Sequence, residues 1–488
     1  MCIRDRIIIM EILEFKIGDL LELTIEDLAF GGKGISKEYG VVIFVDGALP
    51  GQTVKSRVTK KKRRYVEAKM LEVIYRSTDE LVLDYQEVPG APWMRLPLRK
   101  QVEYKEKQVK ELFKKFSDTD LDSIWDETII SPLVWGYRNK MEYSFGITNE
   151  YFTEEMDKKI WHHEGYGLGS KKRGQFFLVE SLLKPSGLFD FDFEKLIPKI
   201  EKLCQESGLP VYNQRINKGF FRYLVVRKSI NEDRFLINLI TTSHQSSTRK
   251  YKIFQELFLN LLKNILGNRL AGLFWSINDQ VSDTANNHVF RKLIWGEEKI
   301  IESINGLSFE VALDSFFQTN LYSAEKLYQK VLNYAGIKEK GLYLDLYCGT
   351  GTVAQILANE CLECRVIGVD IEESAVEDAR LNAKRNNLSN VEFFCEDVRI
   401  FLKNHSELVG KIDALVIDPP RSGLSPKALQ RSIDLGSSNI IYVSCNPSTM
   451  ARDTKILKLN GFKLSKFTMV DQFPHTSHIE CLGLFKKE

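Results

Sequence analysis

From residue 341 onward, short apolar runs of strand length alternate with longer stretches of helical spacing. Leu342-Tyr343-Leu344-Asp345-Leu346 runs into a turn with two glycines, Cys348-Gly349-Thr350-Gly351-Thr352, and then into Val353-Ala354-Gln355-Ile356-Leu357-Ala358. Val366-Ile367-Gly368-Val369 ends in Asp370, Val391-Glu392-Phe393-Phe394 leads to Cys395-Glu396-Asp397, and Ala414-Leu415-Val416-Ile417 ends in Asp418-Pro419-Pro420-Arg421. Between them, Ser374 to Asn387 carries Ala375, Ala379 and Ala383 four apart, which is helical spacing. Strand and helix in alternation predict an α/β unit with a mostly parallel sheet.

A fifth run, Ile440-Ile441-Tyr442-Val443, delivers Ser444-Cys445-Asn446-Pro447 into a polar turn. Loops at the carboxyl ends of parallel strands are where α/β proteins place chemistry. Cys445 is therefore a candidate nucleophile; the competing reading is a buried cysteine acting as a small hydrophobe. The strand-Gly-x-Gly-helix unit can wrap an adenosine-bearing cofactor, because glycine lets backbone pass close to a ligand. Asp370 stands where an acid accepts hydrogen bonds from ribose hydroxyls.

The first third of the chain has a different rhythm. Short runs around Leu23 to Gly34 and Val41 to Gly51, separated by Gly clusters and a Pro-Gly turn, predict a small antiparallel barrel. It is followed by Lys55 to Arg64, with Lys60, Lys61, Lys62, Arg63 and Arg64 contiguous and no acid among them. Such a run is either a solvated face or, beside Tyr65, a set of phosphate contacts. From about Asp84 to Glu310, segments such as Tyr137 to Phe145 and Arg222 to Arg227 predict a mainly antiparallel α+β region with basic and aromatic outward positions, Arg138, Asn139 and Lys140 among them.

With 488 residues, the chain has room for two to three domains. A net charge of +2 means that any nucleic-acid surface is local. No apolar stretch is long enough for a membrane span, and the short apolar start lacks a signal-peptide cleavage site. Residues 1–13 are expected to be an extension, native or not. Cys361 and Cys364 have metal-like spacing, but no second pair accompanies them, and packing is the favoured role. Scattered cysteines and a chemistry that needs a thiol point to the cytoplasm.

The pieces DSFFQTN (Asp314 to Asn320), LDLYCGTGT (Leu344 to Thr352), GVDIEESAVEDARLNAKRN (Gly368 to Asn386), DPPRSGL (Asp418 to Leu424), VSCNPSTMARD (Val443 to Asp453) and VDQFPHTSHIECL (Val470 to Leu482), in this order, resemble the RNA uracil-5-methyltransferase family. The barrel resembles a TRAM domain, an OB-like RNA-binding module. The resemblance implies a Rossmann-like, doubly wound methyltransferase domain at 311–488, a TRAM barrel at 14–75 and a central RNA-recognition domain at 84–310. It implies S-adenosylmethionine as cofactor, held by Gln318, Tyr347, Gly349, Gly351, Thr352, Asp370, Asp397 and Asp418. Thr352 and Asp370 depart from the Asn and Glu of some relatives but keep hydrogen-bonding capacity. It implies that Cys445 adds to carbon 6 of uracil and that Glu480 later removes the carbon 5 proton. RNA is the expected partner, 23S rRNA ahead of tRNA, and the protein is expected to be a monomer. Several relatives bind an iron-sulfur cluster through cysteines after the barrel, but Tyr85 to Pro97 has none, so no cluster and no metal is expected. The alternatives are a cytosine-5 RNA methyltransferase, disfavoured by Pro420 and Arg421 where those enzymes carry a Cys, and a non-catalytic RNA-binding protein, which would lack the thiol or Glu480.

Overall fold

The computed structural model describes residues 15–155, 158–244, 249–281, 284–285 and 290–488; the expected extension at 1–13 lies outside them. The largest sheet runs in the order Val391–Cys395, Arg365–Asp370, Leu342–Leu346, Ala414–Ile417, Asn439–Ser444, Glu480–Lys487, Phe462–Asp471 and Trp125–Ile130. The first five pair in parallel. Strand order turns back between Leu342–Leu346 and Ala414–Ile417, and a crevice opens at the carboxyl ends of strands at such a switch point. Glu480–Lys487 inserts antiparallel between Asn439–Ser444 and Phe462–Asp471. The strands bury Leu344, Val366, Val369, Leu415 and Ile441 completely or nearly so, with helices on both faces.

Two segments assigned from sequence to a central domain are built into this unit. Trp125–Ile130 pairs in parallel with Phe462–Asp471 and forms the edge strand of the sheet on that side. The helix Leu98–Ser117 buries Val102, Val109 and Phe113 in the same core as Met450, Leu457 and Phe467. At the other boundary, the hairpin of Lys299–Ile304 and Leu307–Ala312 lies along the helix Glu373–Arg385. There the Asn382 and Asn386 side chains accept from the N–H groups of Glu310 and Ser308 at 2.7 and 2.9 Å. The boundaries at 84 and 310 therefore cut through packed structure, because apolar faces far apart in sequence found each other.

The central sheet has seven strands, in the order Gln175–Ser181, Gly167–Lys172, Lys140–Gly146, Phe221–Ser229, Arg234–Thr241, Leu270–Ile277 and Phe290–Gly296. Only Arg234–Thr241 and Leu270–Ile277 run parallel, joined across the helix Arg249–Leu266. The N-terminal sheet of six strands between Leu20 and Tyr75 closes around Leu23, Ile43, Val45, Val54, Val58 and Val66. It docks through Leu28 and Leu49 onto Trp93 and Leu96, and Gln108 Nε2 donates to the Leu28 carbonyl at 3.0 Å.

Candidate active site

Cys445 follows the strand Asn439–Ser444, and its backbone is fixed by the turn that starts the next helix. Ser444 Oγ accepts from the Asn446 N–H at 3.1 Å, and Asn446 Oδ1 caps the helix Pro447–Leu459 by accepting from the Ser448 N–H at 3.1 Å. Proline suits the first helical position, where no N–H is needed. Ser444 pairs with Cys481 across the antiparallel ladder. One step further along the same register, Cys445 comes level with Glu480, which pairs on its other side with Val470.

Burial, then the carboxylates of Glu480 and Asp418, push the Cys445 thiol up to about 11, while Arg421 opposes them. Burial and Asp418 hold the Glu480 carboxyl well above the usual range. Burial pushes Asp418 up to about 6. A thiol, two carboxyl groups and one guanidinium thus face the same space, and the proton inventory of that space changes with whatever charge enters it. In the sequence Arg421 stands out only as part of a motif; its influence on Cys445, Glu480 and His478 is visible only in three dimensions.

The crevice at the switch point is lined by Gln318, Tyr347, Gly349, Thr352 and Asp418, together with Phe316, Phe317, Tyr328, Asp345, Cys348, Thr350 and Val353. Asp345 is buried on its strand, accepts from the Ala354 N–H at 3.0 Å and is held well above the usual carboxylate range by burial and by Asp418. Tyr347 has φ 65° and Gly349 φ 53°, so the turn passes through left-handed backbone. A Cβ on Gly351 would lie 2.5 Å from the Phe393 ring, so this glycine permits the close packing of turn on sheet. Asp370 Oδ2 accepts from the Gly349 N–H at 2.8 Å and Oδ1 from the Glu372 N–H at 3.0 Å. Asp397 caps the helix Val398–Asn404, pairs with Arg399 at 2.8 Å and acts on the charge state of Tyr347 in the crevice. Gln318 Oε1 accepts from Gln472 Nε2 at 3.3 Å, which ties the crevice to the loop before Glu480. Asp345 and Tyr328 were missed as site residues. An acid inside an apolar strand was the available signal for the first, and nothing local marked the second.

The lining fits S-adenosylmethionine. It offers aromatic faces for a purine, the carboxyl groups of Asp345 and Asp418 for a cationic sulfonium with no lysine or arginine among the lining residues, and backbone left open at Gly349, where an added Cβ would meet nothing within 4 Å.

The basic run sits on the hairpin between Thr53–Lys61 and Tyr65–Tyr75. Lys62, Arg63 and Arg64 are exposed, Lys60 lies 3.5 Å from Glu67, and Lys61 Nζ donates to the Phe15 carbonyl at 3.0 Å. Asn139 is buried, bonded to the Gln318 and Thr319 carbonyls at 3.0 and 2.8 Å, and so braces the crevice. Arg138 and Lys140 line a cleft with Arg227, Phe316 and Phe317.

A family model described as tRNA (Uracil-5-)-methyltransferase matches residues 287–488, and a TRAM domain model matches 14–71. An uncharacterized RNA methyltransferase of Caldanaerobacter subterraneus subsp. tengcongensis is 36% identical over 475 residues, covering 96% of this chain and 99% of its own. The chain belongs to the RNA uracil-5-methyltransferase family. A second uncharacterized RNA methyltransferase, from Clostridium tetani, is 36% identical over 477 residues, covering 96% of this chain and 98% of its own. The crystal structure of Pyrococcus abyssi tRNA (uracil-54, C5)-methyltransferase in complex with S-adenosyl-L-homocysteine superposes with a TM-score of 0.71 at 25% identity, over 95% of this chain and 100% of that one. This methyltransferase is thus an S-adenosylmethionine-dependent enzyme acting on RNA, with a TRAM barrel at its N-terminus. No described helix is long and apolar enough to cross a membrane.

Proposed function

We propose that the enzyme methylates carbon 5 of a specific uridine through a covalent bond between Cys445 and carbon 6 of the base. The observation that carries this reading is the ladder register that brings Cys445 level with Glu480 beside Asp418. Carbon 5 of uracil is a weak nucleophile. Addition of the Cys445 thiolate to carbon 6 forms an S–C6 bond and pushes the electron pair of the 5,6 double bond toward carbon 5 and its neighbouring carbonyl. S-adenosylmethionine, when bound, supplies the methyl group that carbon 5 takes. Glu480, as carboxylate, then removes the carbon 5 proton. The electron pair restores the 5,6 double bond, the C6–S bond breaks, and the thiolate is regenerated. The target uridine must leave its stack to reach these groups.

Gln318, Tyr347, Gly349, Gly351, Thr352, Asp370, Asp397 and Asp418 would hold the cofactor, Asp370 also shaping the turn through Gly349 and Gly351 packing it. Lys60, Lys61, Lys62, Arg63 and Arg64 would meet phosphates, Lys62 to Arg64 most directly because they are exposed. Residues 14–75 act as the RNA-binding barrel, the seven-stranded sheet that lies within 84–310 helps select the RNA, and the chain works as a cytoplasmic monomer. The proposed target is a uridine of 23S rRNA. A tRNA uridine is the second reading, favoured by the activity for which the Pyrococcus abyssi relative is named. Incubation with labelled S-adenosylmethionine and total RNA from a strain lacking the enzyme, followed by mapping of the labelled position, tests both. Label in cytosine, or in no RNA at all, would overturn the proposal.

A further inference from the structure

The loop from Gln472 to His478 links the end of Phe462–Asp471 to Glu480, and it is bonded to distant parts of the chain along most of its length. Lys105 Nζ donates to Asp471 Oδ1 at 2.6 Å and to the Phe473 carbonyl at 3.2 Å, with both Lys105 and Asp471 fully buried. Asn320 Nδ2 donates to the Gln472 carbonyl at 2.8 Å, and Tyr137 Oη donates to the Pro474 carbonyl at 3.0 Å.

The tightest knot is at His475. Its backbone has φ 68°, a left-handed conformation that a non-glycine residue keeps only when its surroundings impose it. Its N–H donates to Gln101 Oε1 at 2.6 Å, and its carbonyl accepts from the Trp93 N–H at 2.9 Å. Ring Nε2 lies 3.0 Å from the Val134 carbonyl, which only accepts, so the ring proton sits on Nε2. Nδ1 is then free to accept from Gln101 Nε2 at 3.1 Å. The ring also stacks on Trp135, with centroids 3.8 Å apart. Burial depresses the imidazole pKa to about 4, which keeps it in this neutral form. Gln101 is itself anchored by donating to the Leu96 carbonyl at 2.8 Å.

At Glu480, in contrast, burial and the charges of Asp418 and Arg421 act on the carboxyl group, and no side-chain hydrogen bond is among the causes of its shift. Such a base depends on the chain that carries it, and proton transfer tolerates little displacement. We propose that His475 and Gln101 form a latch that positions Glu480 for removal of the carbon 5 proton. They are positioning residues and touch neither substrate nor cofactor. The inference rests on the reading of Cys445 as nucleophile and Glu480 as base. Its consequence is selective: loosening the latch slows the step that uses Glu480 and spares the addition and methylation that precede it. The stalled species is a methylated uracil still bonded to Cys445.

The test uses the full chain, total RNA carrying tritium at carbon 5 of uridine from a strain lacking the enzyme, and S-adenosylmethionine labelled in the methyl group. Single-turnover methyl incorporation, tritium release and denaturant-resistant protein–RNA adduct are followed together. Gln101→Leu removes both bonds to His475, and His475→Gln is the second variant should the first not fold. Tritium release should fall by about tenfold or more while methyl incorporation stays within about threefold, a part of the 10²–10⁴ available to general base catalysis, and methyl-labelled adduct should accumulate. Parental tritium release in a folded variant, or equal slowing of both steps, would overturn the latch. Glu480→Gln, run in parallel, separates the two ideas: if it releases tritium at the parental rate, the assignment of the base fails, whatever the latch variants do.

Discussion

The corner at Cys445 and the hairpin at Lys62 to Arg64 both concentrate ionisable groups, yet they treat charge in opposite ways. At the corner, burial holds Glu480 well above the carboxylate range, Asp418 at about 6 and Cys445 at about 11. On the hairpin the cationic side chains stand in water, where their fields are screened by salt within about 8–10 Å. A buried group responds to a neighbour by changing its protonation, whereas a solvated one responds by exchanging its counterions. The first property suits bond making at one atom, and the second suits holding a polyanion of any sequence.

The largest expected effect comes from Cys445→Ala. Methylation should fall to the limit of detection, while S-adenosylmethionine binding, read by calorimetry, stays near the parental value, because in the proposed mechanism the thiol meets uracil and not the cofactor. Full turnover in this variant would break the covalent mechanism. RNA carrying 5-fluorouridine should trap a denaturant-resistant adduct with the parent, since fluorine cannot leave as a proton, and none with Cys445→Ala. Glu480→Gln comes next, with turnover down by about 10²–10⁴-fold and adduct accumulating on ordinary RNA.

A smaller effect is set by Asp418. Its folded pKa lies above the ordinary 3.8, at about 6. The empty protein therefore binds this proton more tightly than the unfolded chain does. Its contribution to stability is complete below 3.8 and is lost as pH rises to about 6. A cationic cofactor favours the deprotonated form, so S-adenosylmethionine should bind more tightly as pH rises through about 6. Asp418→Asn should flatten both trends, in thermal unfolding and in calorimetric titration. Trends that persist in the variant would place the responsible carboxyl elsewhere.

The smallest effect belongs to the hairpin. Changing Lys60, Lys61, Lys62, Arg63 and Arg64 together to Ser should flatten the dependence of log affinity on log salt, by about 0.7 to 0.9 for each phosphate no longer neutralised. Turnover at saturating RNA should stay close to the parent, because this binding is uniform between ground and transition states. Lys60 and Lys61 already bond to Glu67 and to the Phe15 carbonyl, so single changes at Lys62 to Arg64 should account for most of the flattening. An unchanged slope would return the run to a solvated face.

Much of the site could be read before the fold was known. The glycine turn, the acids ending successive strands and the thiol ending the fifth are local signals, because an apolar run followed by a small or polar residue is itself the strand-to-turn transition. The motif order also sufficed to name the family. Asp397 shows what sequence leaves out: its position after a strand marked it for the cofactor, and the fold adds that it caps its own helix and pairs with Arg399.

What the sequence by itself determined was the alternation of strand and helix, the barrel, the family, and the candidacy of Cys445 at the end of its strand. Tertiary structure alone decided that Glu480–Lys487 enters the sheet antiparallel beside Asn439–Ser444, that Trp125–Ile130 is added at its far edge, and that Gln101 reaches His475. The division follows from range. Periodicity and turn chemistry are properties of neighbouring residues, whereas the partner of a strand edge or of a buried amide is chosen among all the groups the chain can bring to it, by which choice buries the most apolar surface and leaves the fewest polar groups unpaired.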